Sequence, residues 1–120
     1  MYKYFKEEEF HCKCGNCPKD DQKVSSTLIE LLDSARFFAN TPFVITSGYR
    51  CKDHNKAVGG VSNSAHTKGL AADISYSSGR ELYLLMTSLL AVGFKRIGIS
   101  KNFVHVDIDT TKPQNVIWDY

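Results

Sequence analysis

The sequence predicts an α+β fold with a mainly antiparallel sheet flanked by helices. Two segments repeat apolar residues at helical spacing, four short segments read as strands, and one glycine-punctuated stretch fits neither pattern. At 120 residues the chain has the size of one domain around a single core. We therefore expect one domain over residues 1–120, with a cysteine-rich arm at 1–20.

The arm is irregular and mixes Cys, Lys and acidic residues. Over 24–40, Val24, Leu28, Leu31, Leu32, Ala35 and Phe38 fall at helical spacing. Thr27 and Glu30 have capping-box spacing, and Asn40 with Pro42 stops the helix. Residues 43–46 read as a strand. A long loop follows, broken by Gly59, Gly60 and Gly69, and it ends in a strand at 70–75. Ser78 and Glu81 make a second capping box, opening a helix with Leu82, Leu85, Met86, Leu89 and Leu90 on one face and Gly93 at its close. Residues 95–99 and 103–109 are the third and fourth strands. In the tail, 110–120, the only tryptophan, Trp118, is expected to pack on the core.

Composition excludes several classes. Hydrophobic residues make up 42% and charged residues 23%, ordinary for a folded protein. The net charge of +2 is spread without a basic run or an Arg-interleaved aromatic ladder, so nucleic acid is not an expected partner. No run of about 18 apolar residues is present, so no membrane span is expected. The N-terminus MYKYFKEEEF lacks the apolar segment of a secretory signal. The expectation is a monomer made in the cytoplasm, with any action beyond it requiring separate delivery, such as lysis.

The chemistry lies in two strands and the loop between the helices. In 103–109, side-chain alternation sends Val104, Val106 and Ile108 to the core and His105, Asp107 and Asp109 to the other face. In 70–75, Leu70, Ala72 and Ile74 share one face, and Asp73 lies opposite. Small neighbours around these polar groups leave room for a ligand. A catalytic zinc takes three ligands from imidazole or carboxylate and keeps one position open. His66, Asp73 and His105 form such a set, with Gly69 turning the loop between the first two. A lone histidine is most often structural; three ligand types in one frame favour a metal.

The segments Ser47-Gly48-Tyr49-Arg50, Val58-Gly59-Gly60, Ser64 to Asp73 and Phe103 to Asp107 resemble, in order, the zinc D-Ala-D-Ala carboxypeptidase-like peptidases of the M15 family. The resemblance covers roughly residues 43 to 109. It implies zinc ligands His66, Asp73 and His105, and a fold like the D-Ala-D-Ala peptidase and Hedgehog signalling-domain group. It implies peptidoglycan stem peptides as substrates, cut by carboxypeptidase or endopeptidase action, as in phage endolysins and bacterial wall hydrolases. Arg50 is expected to face the substrate, where its fork can hold a carboxylate or an oxyanion. Tyr49 and Ser64 are further substrate-side candidates, although Ser64 can instead cap the turn before His66 and Tyr49 can pack beneath the cleft. Asn55 is expected to pin the loop, and His54 to lie on its surface.

The sequence departs from the family at the general base. Members of the family carry an acid or histidine three residues before the last zinc histidine, and here that position is Asn102. Asp107, on the face of His105, is the candidate base; orienting a zinc histidine is its other possible role.

Cys12, Cys14 and Cys17 in HCKCGNC, with Cys51 beside Arg50, form a separate group. Four thiolates can hold a second, structural zinc, against which the missing paired C-x-x-C spacing counts. A disulfide from the arm to Cys51 is the other arrangement. Three functional classes follow. The leading one is a zinc peptidase acting on cell wall. The second is a non-catalytic zinc-containing wall-binding module that has lost its base. The third, a thiol-zinc nucleic-acid module, lacks the basic stripe it would need.

Overall fold

The computed structural model describes residues 2–18 and 21–120, so residues 1, 19 and 20 of the arm lie outside the described residues. Three helices are α1 (Ser26–Ala39), α2 (Lys52–Ala57) and α3 (Gly79–Ala91). Five strands, β1 (Val44–Ser47), β2 (Ala71–Ser75), β3 (Arg96–Ile99), β4 (Phe103–Asp107) and β5 (Val116–Asp119), form one sheet in the order β1-β2-β4-β3-β5. The pairs β1–β2, β2–β4 and β3–β4 are antiparallel, and β3–β5 is parallel. The protein is thus α+β with a mixed sheet.

Helices α1 and α3 cover one face. Leu28, Ile29 and Leu32 of α1 and Leu85 and Leu89 of α3 are buried with Ala72, Ile74, Val104, Val106 and Ile97 from the sheet. This is the apolar half of each alternating strand. Ser25 caps α1, its Oγ accepting from the Leu28 N–H at 3.3 Å, so the capping residue lies two positions before the expected Thr27. Ser78 caps α3 as its spacing predicts, accepting from the Glu81 N–H at 3.1 Å. Asn40 ends α1 in the left-handed conformation. Phe38 and Leu90, expected on buried faces, are 65% and 50% exposed. Each sits near the end of its helix, and the buried neighbour is Ala39 in one case and Leu89 in the other.

Two expectations about irregular regions need correction. The long loop contains α2 and a 3₁₀ turn at Ala65–Lys68. The tail forms β5, and Trp118 lies partly exposed on the sheet face opposite the helices, outside the core. Gly98 makes this possible, because a Cβ there would meet the Trp118 ring at 2.6 Å.

The arm is bound into the fold rather than appended to it. Asp33 accepts the backbone N–H groups of Lys3 and Tyr4 at 3.1 and 2.7 Å, and Arg36 donates to the Tyr4 carbonyl at 3.1 Å. Phe10 is fully buried, and its ring meets Phe5 edge-on at 5.3 Å. Its carbonyl accepts the Tyr49 N–H at 2.8 Å. Gly48 is required beside it, since any Cβ would overlap the Phe10 backbone.

Phe10→Ala should therefore cost about 3–5 kcal/mol in chemical denaturation, the range for emptying a buried phenylalanine site. Phe38→Ala, on an exposed ring, should change stability by less than ~0.5 kcal/mol.

Candidate metal centre and active site

The face of the sheet away from α1 and α3 carries a cleft of about 360 Å³. Strand register assembles its floor. Asp73 of β2 stands directly opposite His105 of β4, and Gly98 of β3 stands opposite His105 on the other side. His66 enters from the 3₁₀ turn. Ser64 caps that turn by accepting the His66 N–H at 3.2 Å, and Gly69 closes it at φ 73°. A side chain at Gly69 would overlap the Lys23 carbonyl, so glycine is needed for both conformation and space.

The three expected ligands converge. His66 Nε2 and His105 Nδ1 each lie 3.1 Å from the same oxygen, Asp73 Oδ1. All three ligand atoms lie within 4.8 Å of one another. Bonds of about 2.0–2.1 Å to a tetrahedral zinc put ligand atoms about 3.3 Å apart, close to the observed separations.

Hydrogen-bond accounting tests whether a cation fits. The other nitrogen of His66, Nδ1, is 2.6 Å from the Gly48 carbonyl, which only accepts, so that nitrogen carries a proton. The other nitrogen of His105, Nε2, is 2.7 Å from Asp107 Oδ2, and it likewise donates to the carboxylate. With both imidazoles neutral, two lone pairs and a carboxylate oxygen face one another with nothing positive between them. A divalent cation fits that arrangement, and outer N–H bonds to a carbonyl and a carboxylate are the usual supports of metal-binding histidines.

Burial opposes the charge of Asp73, but hydrogen bonds from His105 and His66 outweigh it and hold its pKa well below the usual carboxylate range. Burial also disfavours a charged His105, and the bonds to Asp107 and Asp73 outweigh it and raise its pKa.

The support continues outward. Asp107 Oδ1 accepts from Arg96 Nε at 2.8 Å and from the Asp109 N–H at 3.1 Å. Arg96 Nη1 donates to the Pro113 carbonyl at 2.7 Å, and its guanidinium stacks on Trp118 at 4.9 Å. Burial opposes ionisation of Asp107, but His105, the Asp109 amide and Arg96 lower its pKa. Both oxygens of Asp107 are thus occupied. Arg96 was not singled out in the sequence, although the signal was there: alternation through 95–99 puts Arg96 and Gly98 on the face of His105.

The remaining expected residues divide between the cleft and its supports. Arg50 lines the cleft, its Nη2 donating to Ser64 Oγ at 3.3 Å. Its buried Nε has no hydrogen-bond partner among the described residues. Burial lowers the Arg50 pKa, against the opposing charge of Asp73. Ser64 also lines the cleft. Tyr49 is buried and does not line it. Asn55 donates to the Val61 carbonyl at 2.7 Å and so pins the loop, and His54 lies on α2. Asn102 is exposed in the turn between β3 and β4. Asp109, on the expected face, is fully buried and bonds Thr111 and Lys68 instead of the cleft.

The family model described as Peptidase M15 matches residues 3–107. The chain belongs to the M15 peptidase family. A comparison with curated proteins finds no match. M15 peptidases are zinc-dependent in general, and the converging His66, Asp73 and His105 lie inside the matched span. The match ends with β4, so Lys112, Trp118 and Tyr120 are cleft residues this M15 chain supplies from beyond it. No helix among the described residues is long and apolar enough to cross a membrane.

Ser64→Ala removes both the acceptor for the His66 amide and the partner of Arg50. It should cost about 0.5–2 kcal/mol of stability in denaturant titration, the range for losing a capping hydroxyl.

Proposed function

We propose that this M15 peptidase hydrolyses peptidoglycan stem peptides with a zinc ion held by His66 Nε2, Asp73 Oδ1 and His105 Nδ1. The observation that carries the reading is the convergence of those atoms, each imidazole having already committed its other N–H. When bound there, zinc supplies a Lewis acid that polarises a peptide carbonyl and acidifies a water. The chain's own residues do the rest. Gly48 and Asp107 fix the two imidazole tautomers, and Arg96 holds Asp107 in place. Arg50, steadied by Ser64, offers its unpartnered Nε–H to a substrate carboxylate or a developing oxyanion. Phe103, Trp118 and Tyr120 give the cleft aromatic walls.

Of the two roles open to Asp107, its three bonds support orientation of His105 over proton abstraction. We further read residues 1–120 as one such domain, since Phe5 and Phe10 of the arm belong to the same core cluster as the helices and sheet. The antiparallel β1-β2-β4-β3 array supports the Hedgehog and D-Ala-D-Ala peptidase likeness, with parallel β5 as an addition at its edge. In this reading the protein works as a monomer on peptide, and it reaches the cell wall by lysis or another delivery, as an endolysin would.

A second reading has a specific observation behind it. Asn102 is exposed in a turn, and the two carboxylates lining the cleft, Asp73 and Asp107, are both engaged. A zinc-containing module that binds wall without cutting it would have these features. Incubation with purified peptidoglycan separates the two, and mass spectrometry of released fragments identifies the bond. The peptidase should release peptide fragments, and His66→Ala should abolish release while circular dichroism stays native. Unchanged release from His66→Ala, or from wild type after chelation, would refute the metal assignment.

Asp107→Asn tests the orienting role. Zinc affinity of the cleft should weaken by ~10–100-fold, with excess zinc restoring much of the rate. Retained affinity with a rate loss of ~10²–10⁴ would instead make Asp107 the base.

A further inference from the structure

We propose that Cys12, Cys14, Cys17 and Cys51 bind one zinc ion as a tetrathiolate, and that this site clamps the N-terminal arm to the chain corner carrying Arg50. The metal site stands independently of the cleft; only its consequence for Arg50 rests on the peptidase reading above.

The four sulfurs come from segments far apart in sequence yet lie within 4.8 Å of one another. Cys14 Sγ is 3.3 Å from Cys17 Sγ and 3.9 Å from Cys51 Sγ. Four thiolates at about 2.3 Å from a tetrahedral zinc stand about 3.8 Å apart, so the observed separations bracket a metal cage. All four are free cysteines, partly buried, and none belongs to the hydrophobic core. Apolar packing therefore gives no account of their convergence.

The surrounding backbone is arranged to solvate sulfur. Cys14 and Cys17 span a turn with Gly15 at φ 78°, and the Asn16 N–H donates to Cys14 Sγ at 3.3 Å. The Cys51 N–H donates to Cys12 Sγ at 3.4 Å, and the His54 N–H donates to Cys51 Sγ at 3.4 Å. Three of the four sulfurs thus accept a backbone N–H, the kind of outer bond that orients metal ligands. The missing second C-x-x-C, which counted against this site in the sequence, is replaced by Cys12 and Cys51, joined across the gap by that amide. Binding sends the thiol protons to solvent, leaving a tetrathiolate beside Lys13 and Lys52 in sequence.

The mechanical consequence follows from adjacency. Cys51 is the N-cap of α2 and the immediate neighbour of Arg50. The Arg50 N–H bonds the His66 carbonyl at 3.1 Å, and the Tyr49 N–H bonds the Phe10 carbonyl at 2.8 Å. A metal on Cys51 therefore fixes the segment from which Arg50 reaches into the cleft.

The experiment uses the full chain purified under reducing conditions and loaded with zinc, with the metal measured by elemental analysis. His66→Ala, which removes a cleft ligand, should retain one tightly held zinc per chain. Adding Cys14→Ser and Cys51→Ser should remove it. Cobalt loading of wild type gives a reading that needs no substitution: a tetrathiolate produces intense sulfur-to-cobalt charge-transfer absorption, which a His/Asp site cannot. If the cysteine variants fold, peptide KM should rise more than kcat falls, through Arg50. A folded His66→Ala chain without zinc and with four thiols open to Ellman's reagent would overturn the proposal. So would cobalt-loaded wild type lacking the charge-transfer bands, iron in place of zinc, or disulfides among these cysteines in the reduced preparation. Failure of wall hydrolysis would leave the cobalt result untouched, so the two readings fail separately.

Discussion

One carboxylate oxygen organises this molecule: Asp73 Oδ1, shared by two imidazoles at 3.1 Å each. Three electron-rich atoms at that spacing repel unless a proton or a cation sits among them. His66 and His105 are both buried and Asp73 is only partly exposed, so water screens the repulsion weakly. The neighbourhood has to be built around that constraint. Ala71 precedes Asp73 by two on the same strand face with minimal bulk, and Gly69 lets the His66 turn close against the backbone at Lys23. The strand pairing of Asp73 with His105 is inseparable from the site, because a shift of one residue in β2 would send Asp73 to the helix-covered face.

The same constraint explains the second layer. A neutral His105 presents Nδ1 to a metal only if Nε2 keeps its proton, and Asp107 holds it there. A buried carboxylate with one partner would be costly, so Asp107 also takes Arg96 and a backbone amide. Arg96, 9% exposed, needs partners in turn, and it finds the Pro113 carbonyl and the Trp118 face. The Trp118 ring fits because Gly98 has no side chain. Each step satisfies the polar group left by the step before, so truncating any one member should disturb more than its own contacts.

Much of this was legible before the structure. Alternation in β2 and β4 separated Asp73 and His105 from the core residues Ala72, Ile74, Val104 and Val106, because a strand has a strict period of two. Helix boundaries were harder to read. Ser25 and Thr27 both have capping chemistry, and only the backbone decides which hydroxyl accepts. Trp118 was misjudged for a related reason: apolar bulk signals burial, but not which surface is buried. A short strand running parallel to β3 gives no local pattern, since its partner lies about twenty residues away. The cysteine group was visible as residues and invisible as geometry, because the approach of Cys51 to the arm depends on Gly48, Phe10 and the whole β1 corner.

Asp109 marks the limit of reasoning from faces alone. It continues the same polar row as His105 and Asp107, and alternation gives it the same status. Its backbone has already left the strand, however, and its carboxylate accepts from Lys68 at 2.9 Å and from Thr111 Oγ1 at 2.6 Å. Burial opposes its ionisation, and the Thr111 and Lys68 bonds bring its pKa down to about 2. Its carbonyl accepts from Gln114 at 3.0 Å, completing the turn that carries the chain across to β5. Of three polar residues in one row, one faces the candidate metal site, one fixes the first, and one redirects the chain to deliver Trp118. Alternation gives all three the same face; what separates their roles is the partner each carboxylate or imidazole finds: Asp73 and Asp107 for His105, Arg96 for Asp107, Lys68 and Thr111 for Asp109.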